Sequence, residues 1–264
     1  MSQTSSSATA TVQPHVGLFV TCLADVYRPS VGFAALKLLE QAGCRVSVPE
    51  SQTCCGQPAW NSGDRPTTQS IAKATIAAFE GFDYVVLPSG SCGGMLKEYP
   101  AVLDGDAHWQ ARATALADKT WELTSFLADV LHFNGIKARL DGSAAYHDSC
   151  TGLRRLKIKA QPRALLAQVK GLTVRDLANP EECCGFGGTF CVKYGDISNQ
   201  MVSDKVEDII ATGADTLLAG DVGCLLNMAG KLKKIGSPIR VRHVAEVLAD
   251  MADQPAIGEA EGSR

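Results

Sequence analysis

The strongest constraint in this sequence is a cysteine pattern that occurs twice. Cys22, the doublet Cys54-Cys55 and Cys92 form one copy; Cys150, the doublet Cys183-Cys184 and Cys224 form the other, and a glycine follows each doublet. The first cysteine precedes its doublet by 32 residues in one copy and 33 in the other, and the last follows by 37 and 40. The offset between copies drifts only from 128 to 132 over more than seventy residues, which argues for an internal duplication and two structural units. Two of the ten cysteines, Cys44 and Cys191, fall outside the pattern.

Each copy reads as the same alternation of elements. Apolar runs at His15 to Val20 and Ser143 to His147 predict buried strands leading into Cys22 and Cys150. Helical spacing follows over Gly32 to Gln41, ahead of Gly43, and over Pro162 to Val169, ahead of Gly171. Second strands are predicted at Arg45 to Val48 and Thr173 to Leu177, each running into a Cys-Cys-Gly loop. Asp64 and Ser198 are candidate N-caps of a further helix in each copy, and the strands Tyr84 to Leu87 and Thr216 to Ala219 then lead to Cys92 and Cys224. Strands alternating with helices imply right-handed crossovers, so the expected fold is α/β: two repeated three-layer lobes with mostly parallel sheets. In such sheets the segments after the strands emerge at one carboxyl edge, where the four cysteines of a copy should converge. An amphipathic helix over Lys119 to Phe133 is expected to pack the lobes together. The implied organisation is a polar tail at 1–14, lobes at 15–118 and 143–253, a connecting helix and linker at 119–142, and a frayed tail at 254–264.

The remaining composition narrows the chemistry. With 25 basic against 28 acidic residues in 264, a nucleic-acid partner is not expected. No transmembrane span is expected either, because no window of 18 residues is continuously apolar, and Met1 to Pro14 lacks the basic and apolar regions of a secretory signal. The expected location is the cytoplasm, with any membrane association peripheral and through partners. In a reducing compartment clustered cysteines point to metal or redox chemistry before disulfides. Four thiolates without histidine suit an iron-sulfur cluster or zinc. Structural zinc sites use short paired C-x2-4-C hooks, whereas only the adjacent Cys-Cys pairs are close here, and neighbouring thiolates reach different irons of a cluster more easily than one ion. An iron-sulfur cluster is therefore favoured, one or two per chain, with zinc as the alternative; the expected type is [4Fe-4S], cubane or noncubane.

Other residues stand near these ligand sets. Gly56, Gly93, Gly94, Gly185, Gly187, Gly188 and Gly223 would let backbone N–H groups approach cluster sulfur, or are turn glycines. Cys191, whose counterpart in the first copy is Ser62, is a fifth sulfur for the second cluster or a bystander, and Cys44 reads as core. His147 is the best acid–base candidate, against a reading in which it packs at a strand end and Asp148 caps a turn. Arg154, Arg155, Lys157, Lys159 and Arg163 form a basic run that would be a solvated face or would attract a carboxylate substrate or an acidic partner.

Six stretches resemble a known family: Cys22-Leu-Ala-Asp25, Gln52-Thr-Cys-Cys-Gly-Gln-Pro58, Pro88-Ser-Gly-Ser-Cys92, Tyr146-His-Asp-Ser-Cys150, Cys183-Cys-Gly-Phe-Gly-Gly-Thr-Phe190 and Asp221-Val-Gly-Cys224. They are similar to the cysteine-rich CCG proteins, and within them to the lactate-utilisation iron-sulfur subunits (LutA, LldE or YkgE), over about residues 15 to 250. Glycolate oxidase iron-sulfur subunits and heterodisulfide reductase B-type subunits look more distant. The heterodisulfide family ends each copy in C-x-x-C, giving five cysteines around a noncubane cluster; here Met95 and Asn227 stand at the fifth positions. The resemblance implies iron-sulfur binding and two partners, a ferredoxin-like iron-sulfur subunit and a third small subunit, together oxidising L-lactate or a related 2-hydroxy acid. Clusters pass single electrons, and the sequence shows no flavin or nicotinamide motif to accept hydride, so the chain reads as an electron-transfer subunit that is not active alone. The rivals are a thiol-disulfide redox subunit and a zinc-stabilised interaction module.

Overall fold

The alternation of strands and helices is realised twice in the computed structural model, which describes residues 13–259. In the first lobe, β1 (His15–Leu18) leads through α1 (Cys22–Tyr27) and α2 (Ser30–Gln41) to β2 (Arg45–Ser47). Then come α3 (Gln57–Asn61), α4 (Arg65–Phe79), β3 (Tyr84–Leu87), α5 (Gly90–Val102), α6 (Ala107–Asp118), β4 (Thr120–Glu122) and α7 (Leu123–Ser125), which continues as a π-turn over Phe126–Val130. The second lobe runs β5 (Arg139–His147), α8 (Cys150–Arg154), α9 (Ala160–Leu166), β6 (Lys170–Arg175), α10 (Phe190–Lys193) and α11 (Gly195–Ala211). It ends with β7 (Thr216–Ala219), α12 (Val222–Lys234), β8 (Arg240–His243) and α13 (Val244–Leu248).

Both sheets are parallel throughout, in the equivalent orders β2-β1-β3-β4 and β6-β5-β7-β8. The fourth strands are the main departure from the sequence reading. Thr120 to Glu122 was expected to open a helix, but it pairs with β3 in the register Val85↔Thr120 and Leu87↔Glu122. Glu122 ends that strand and starts α7 by accepting from the Thr124 and Ser125 N–H groups at 2.9 and 3.2 Å. The expected packing role of this segment is kept by Leu123, Phe126 and Leu127, which join a core shared by the two sheets. That core takes Val16, Leu18 and Val86 from one sheet and Ala144, Tyr146 and Leu218 from the other, with Leu38 and Leu39 of α2 and Val247 and Leu248 of α13. Each such fully buried side chain contributes about 1.5–3 kcal/mol. Separate clusters around Phe79, Leu87 and Leu96, and around Val206, Leu217 and Leu225, fill the outer side of each lobe.

Two further expectations are corrected. Asp64 does cap α4, accepting from Thr67 N–H at 3.1 Å, but Ser198 lies inside α11, which begins at Gly195; its hydroxyl donates to the Gly185 carbonyl at 2.9 Å and ties the helix to the second Cys-Cys-Gly loop. The expected frayed tail is ordered as far as it is described. Ile257 N–H donates to Val241 O at 2.8 Å and Arg242 to Gln254 O at 2.6 Å, so Ala256 and Ile257 bury against the edge strand β8 and cover it. Residues 1–12 and 260–264 of the expected tails lie outside the described residues. Among the described residues no helix is long and apolar enough to cross a membrane.

Candidate metal centre

The topology puts every repeat cysteine just beyond the carboxyl end of a strand. Cys22 and Cys150 open α1 and α8 after β1 and β5; Cys92 and Cys224 sit in the first turns of α5 and α12 after β3 and β7; the doublets follow β2 and β6. Short polar caps hold three of these turns: Ser89 accepts from Cys92 N–H at 3.2 Å, Ser149 from Gly152 N–H at 3.3 Å, and Asp221 from Gly223 N–H at 3.2 Å.

The eight thiols gather into two sets. In the first, Cys22 Sγ lies 3.8 Å from Cys54 Sγ, and Cys55 lies against both Cys54 and Cys92. In the second, Cys150 lies against Cys183, and Cys184 against Cys183 and Cys224. The doublet loops are built alike. Gly56 and Gly185 adopt φ of 85° and 78°, a left-handed turn closed to most side chains, and point their N–H groups at Cys54 and Cys183 Sγ, both at 3.4 Å. All ten cysteines are free thiols. Crowding makes them unequal: hydrogen bonds from Cys22 and then Cys55 hold Cys54 far below the usual thiol range, while the bond Cys22 makes to Cys54, followed by burial, pushes Cys22 up. Cys150 is pushed up in the same way against Cys183. Thiols this close cannot all ionise unless positive charge sits among them, which is the donor chemistry of a thiolate-bound metal centre.

The lobes differ around this shared plan. Tyr99 donates to the Cys55 carbonyl at 2.9 Å, whereas the Cys184 carbonyl is held by Asn227 Nδ2 at 2.8 Å. Asn227 occupies the position of the missing fifth cysteine, and its first-lobe counterpart Met95 is buried in the core, so both positions do structural work. A cavity of about 250 Å³ opens on Cys22, Cys54, Cys55 and Cys92 and is also lined by Phe186, Thr189 and Val192 of the second lobe.

His147 ends β5 and is fully buried, and neither ring nitrogen has a hydrogen-bond partner. Burial, reinforced by the nearby Lys205 ammonium, pulls its pKa down to about 3, so the ring is neutral at neutral pH. Asp148 does not cap a turn as expected; Arg163 grips it with two bonds of 2.8 Å. The rest of the basic run lies on the surface as a solvated face, where Arg155 pairs with Glu98, Lys159 with Glu181 at 3.5 Å, and Arg154 donates to Glu181 O at 3.2 Å. Only Arg163 is drawn inward, onto the buried Asp148. Cys191 donates to the Gly188 carbonyl at 3.3 Å and to neither thiol set, and Cys44 is core as expected. Among the glycines, Gly93 and Gly223 serve close packing, because a side chain there would strike Leu156 and Phe186, and Gly94 likewise faces Thr151. Gly187 and Gly188 shape the loop whose Gly188 lines the cavity.

Sequence reasoning missed the residues that join the lobes. Asp221, besides capping its own helix, accepts from Ser89 Oγ at 3.0 Å and Ser91 N–H at 2.9 Å across the lobe boundary. The covalent path from Cys92 to Cys224 is thus interrupted by a single hydrogen bond. Glu246 caps α13 with His243 and accepts from Arg28 at 2.7 Å and Ser30 at 2.6 Å of the first lobe. Glu122 is also buried, which raises its pKa to about 7. A signal for the fourth strand and its helix does exist: Leu127-Ala128-Asp129 recurs as Leu248-Ala249-Asp250. Its offset is 121 rather than about 130, so it falls out of register with the cysteines.

Comparison with known proteins agrees with this duplicated plan. A family model described as a cysteine-rich domain, CCG, matches residues 16–97 and again 144–229. Lactate utilization protein A of Geobacillus sp. (strain WCH70) is 53% identical over 233 residues, covering 88% of this chain and 98% of the relative. The protein of the same description from Anoxybacillus flavithermus is 52% identical over 234 residues, covering 89% and 98%. Among solved structures, a hypothetical protein from Helicobacter pylori shares the fold, with a TM-score of 0.61 and 11% identity over 91% of this chain; the match spans 49% of that longer chain.

Proposed function

Because the chain belongs to the cysteine-rich CCG-domain family and carries that domain twice, we propose that it is the iron-sulfur electron-transfer subunit of a complex that oxidises L-lactate, or a related 2-hydroxy acid, to the 2-oxo acid. The observation that supports this most is the pair of four-thiol sets, Cys22, Cys54, Cys55 and Cys92 and Cys150, Cys183, Cys184 and Cys224, at equivalent sheet edges. The relatives' description as lactate utilization protein A supplies the substrate class. An iron-sulfur cluster, [4Fe-4S] by type, supplies one-electron transfer when bound. Within the chain, the thiolates hold it, Gly56 and Gly185 turn N–H groups onto Cys54 and Cys183, and Tyr99 and Asn227 fix the doublet backbones. The Ser91–Asp221 hydrogen bond offers electrons a short route between the sets. No residue at either set is arranged to accept hydride, so the hydroxy acid is oxidised with the help of partners, a ferredoxin-like iron-sulfur subunit and a third small subunit.

Thiol-disulfide chemistry of the heterodisulfide type is disfavoured, since Met95 and Asn227 fill the fifth-cysteine positions with packing and a backbone hydrogen bond. The test is chemical. Anaerobically purified protein should be brown, absorb broadly near ~400 nm and carry iron and acid-labile sulfide, on the order of four each per cluster. Cys54→Ser and Cys183→Ser should each remove about half of the iron, and the complex with its partners should reduce a dye with lactate while this chain alone does not. Stoichiometric zinc without sulfide overturns the cluster; full iron retention in either variant overturns that lobe's ligand set.

A further inference from the structure

The two lobes repeat the same backbone, yet one position changes chemistry between them. His147 stands three residues before Cys150 at the end of β5, and Phe19 stands three residues before Cys22 just past the end of β1. Both rings are fully buried. An apolar ring therefore satisfies the fold at this point, and the first lobe uses one. The second lobe puts an imidazole there and leaves both nitrogens without a partner. Burying a polar group unpaired costs about 1–3 kcal/mol, and native structures rarely leave one so without a ligand, ion or water to meet it.

What the ring faces identifies the missing partner. A ring nitrogen of His147 and the sulfurs of Cys184 and Cys224 all lie within 4.8 Å of one another. The backbone that carries the ring is held on both sides, by the Arg163 clamp on Asp148 and by the β5–β7 pairing His147↔Ala219. Asn227, where a fifth cysteine would stand, is held by its Nδ2 bond to the Cys184 carbonyl and brings no sulfur to the set. Four thiolates complete a cubane, but the noncubane type takes five protein donors, and imidazole is a competent ligand for iron.

We propose that His147 is a fifth ligand of the second lobe's cluster, bound to iron through a ring nitrogen, so that the two centres of this chain are chemically different. The inference rests on the cluster reading above. The first lobe offers sulfur donors and a phenyl ring; the second offers four sulfurs and one nitrogen. The imidazole adds a neutral donor to the four thiolates, and ligand identity is one of the levers that set the potential of an iron-sulfur centre. The two lobes would then hold centres of different potential.

The experiment uses the full chain, purified anaerobically with its clusters, with histidine labelled with 15N, and brought to its paramagnetic state. Pulsed electron paramagnetic resonance should show a strongly coupled nitrogen that changes with the label. His147→Phe, which copies the first lobe, should abolish that coupling, keep the iron bound by the four thiolates, and shift the potential of one centre while leaving the other unchanged. Loaded wild-type protein with no strong histidine coupling overturns the proposal, as does coupling that survives in His147→Phe. The wild-type measurement decides even if the variant does not fold. Protein that carries neither iron nor sulfide overturns the cluster reading itself and this inference with it, and iron analysis made before the spectroscopy separates the two failures.

Discussion

Asp221 is the residue whose loss should be felt in both lobes, and its cost can be worked from its contacts. Its carboxylate is buried and accepts three hydrogen bonds, from Gly223 N–H in its own helix and from Ser89 Oγ and Ser91 N–H in the other lobe. In Asp221→Ala the Ser89 hydroxyl keeps a partner, because Ser91 Oγ lies 3.1 Å away. The two N–H groups have no such alternative. An orphaned buried donor costs about 1–3 kcal/mol, so two of them predict a loss of about 4 kcal/mol, a large part of the 5–15 kcal/mol that holds a typical domain. Asp221→Asn keeps one carbonyl oxygen but turns an amide NH2 toward the remaining donor, and should lose roughly half as much. Urea unfolding followed by far-ultraviolet circular dichroism, with wild type and variants both freed of metal, measures the difference. Because Ser91 and Gly223 directly precede Cys92 and Cys224, iron should be lost from both lobes. A change below about 1 kcal/mol with both thiol sets still loaded would refute the reasoning, since it would show that the cross-lobe cap is replaced by water at no cost.

Two further outcomes follow from the lobe boundary. Glu122 has a folded-state pKa of about 7 against 4.5 when free, so the folded chain holds its proton more tightly and the associated stability is lost as pH rises from about 4.5 through 7. Glu122→Gln should therefore gain on wild type by up to roughly 3 kcal/mol across that window and hold the gain above it; a difference independent of pH, in paired denaturation curves, counts against the assignment. Gly90→Ala would place a methyl 3.0 Å from the Gly152 Cα and 2.6 Å from Ser149 Oγ, wedging α5 from α8. Its expected cost is about 1–3 kcal/mol, and Ser149→Ala should not restore it, because the backbone contact remains; full rescue in the double variant would locate the clash in the hydroxyl instead.

Much of this fold was legible in the order of residues. The duplication set two lobes, and the strands Tyr84–Leu87 and Thr216–Ala219 occur with the bounds that their apolar runs imply. The convergence of Cys22, Cys54, Cys55 and Cys92 follows from placing each after a strand of a parallel sheet, and the same holds for the second set. Local signals were enough because the forces are local: an apolar run bounded by turns, or an aspartate such as Asp64 reaching the N–H three residues on.

What the order of residues did not contain are features whose partner is distant in sequence. Thr120–Glu122 is too short to announce itself as a strand; pairing with β3 makes it one. Ser198 looks like a helix cap and becomes a tie to Gly185 because the helix starts a turn earlier. The basic run reads as a solvated face, which it is at Arg154, Arg155, Lys157 and Lys159, but Arg163 turns inward to the buried Asp148. The sequence alone determined how many thiols each lobe brings to its sheet edge. Only the tertiary structure decided that Asp221 would bridge the two edges and that a histidine with unpartnered nitrogens would face one set and a phenyl ring occupy the matching place in the other, because burial and hydrogen-bond satisfaction exist only once the chain has closed around them.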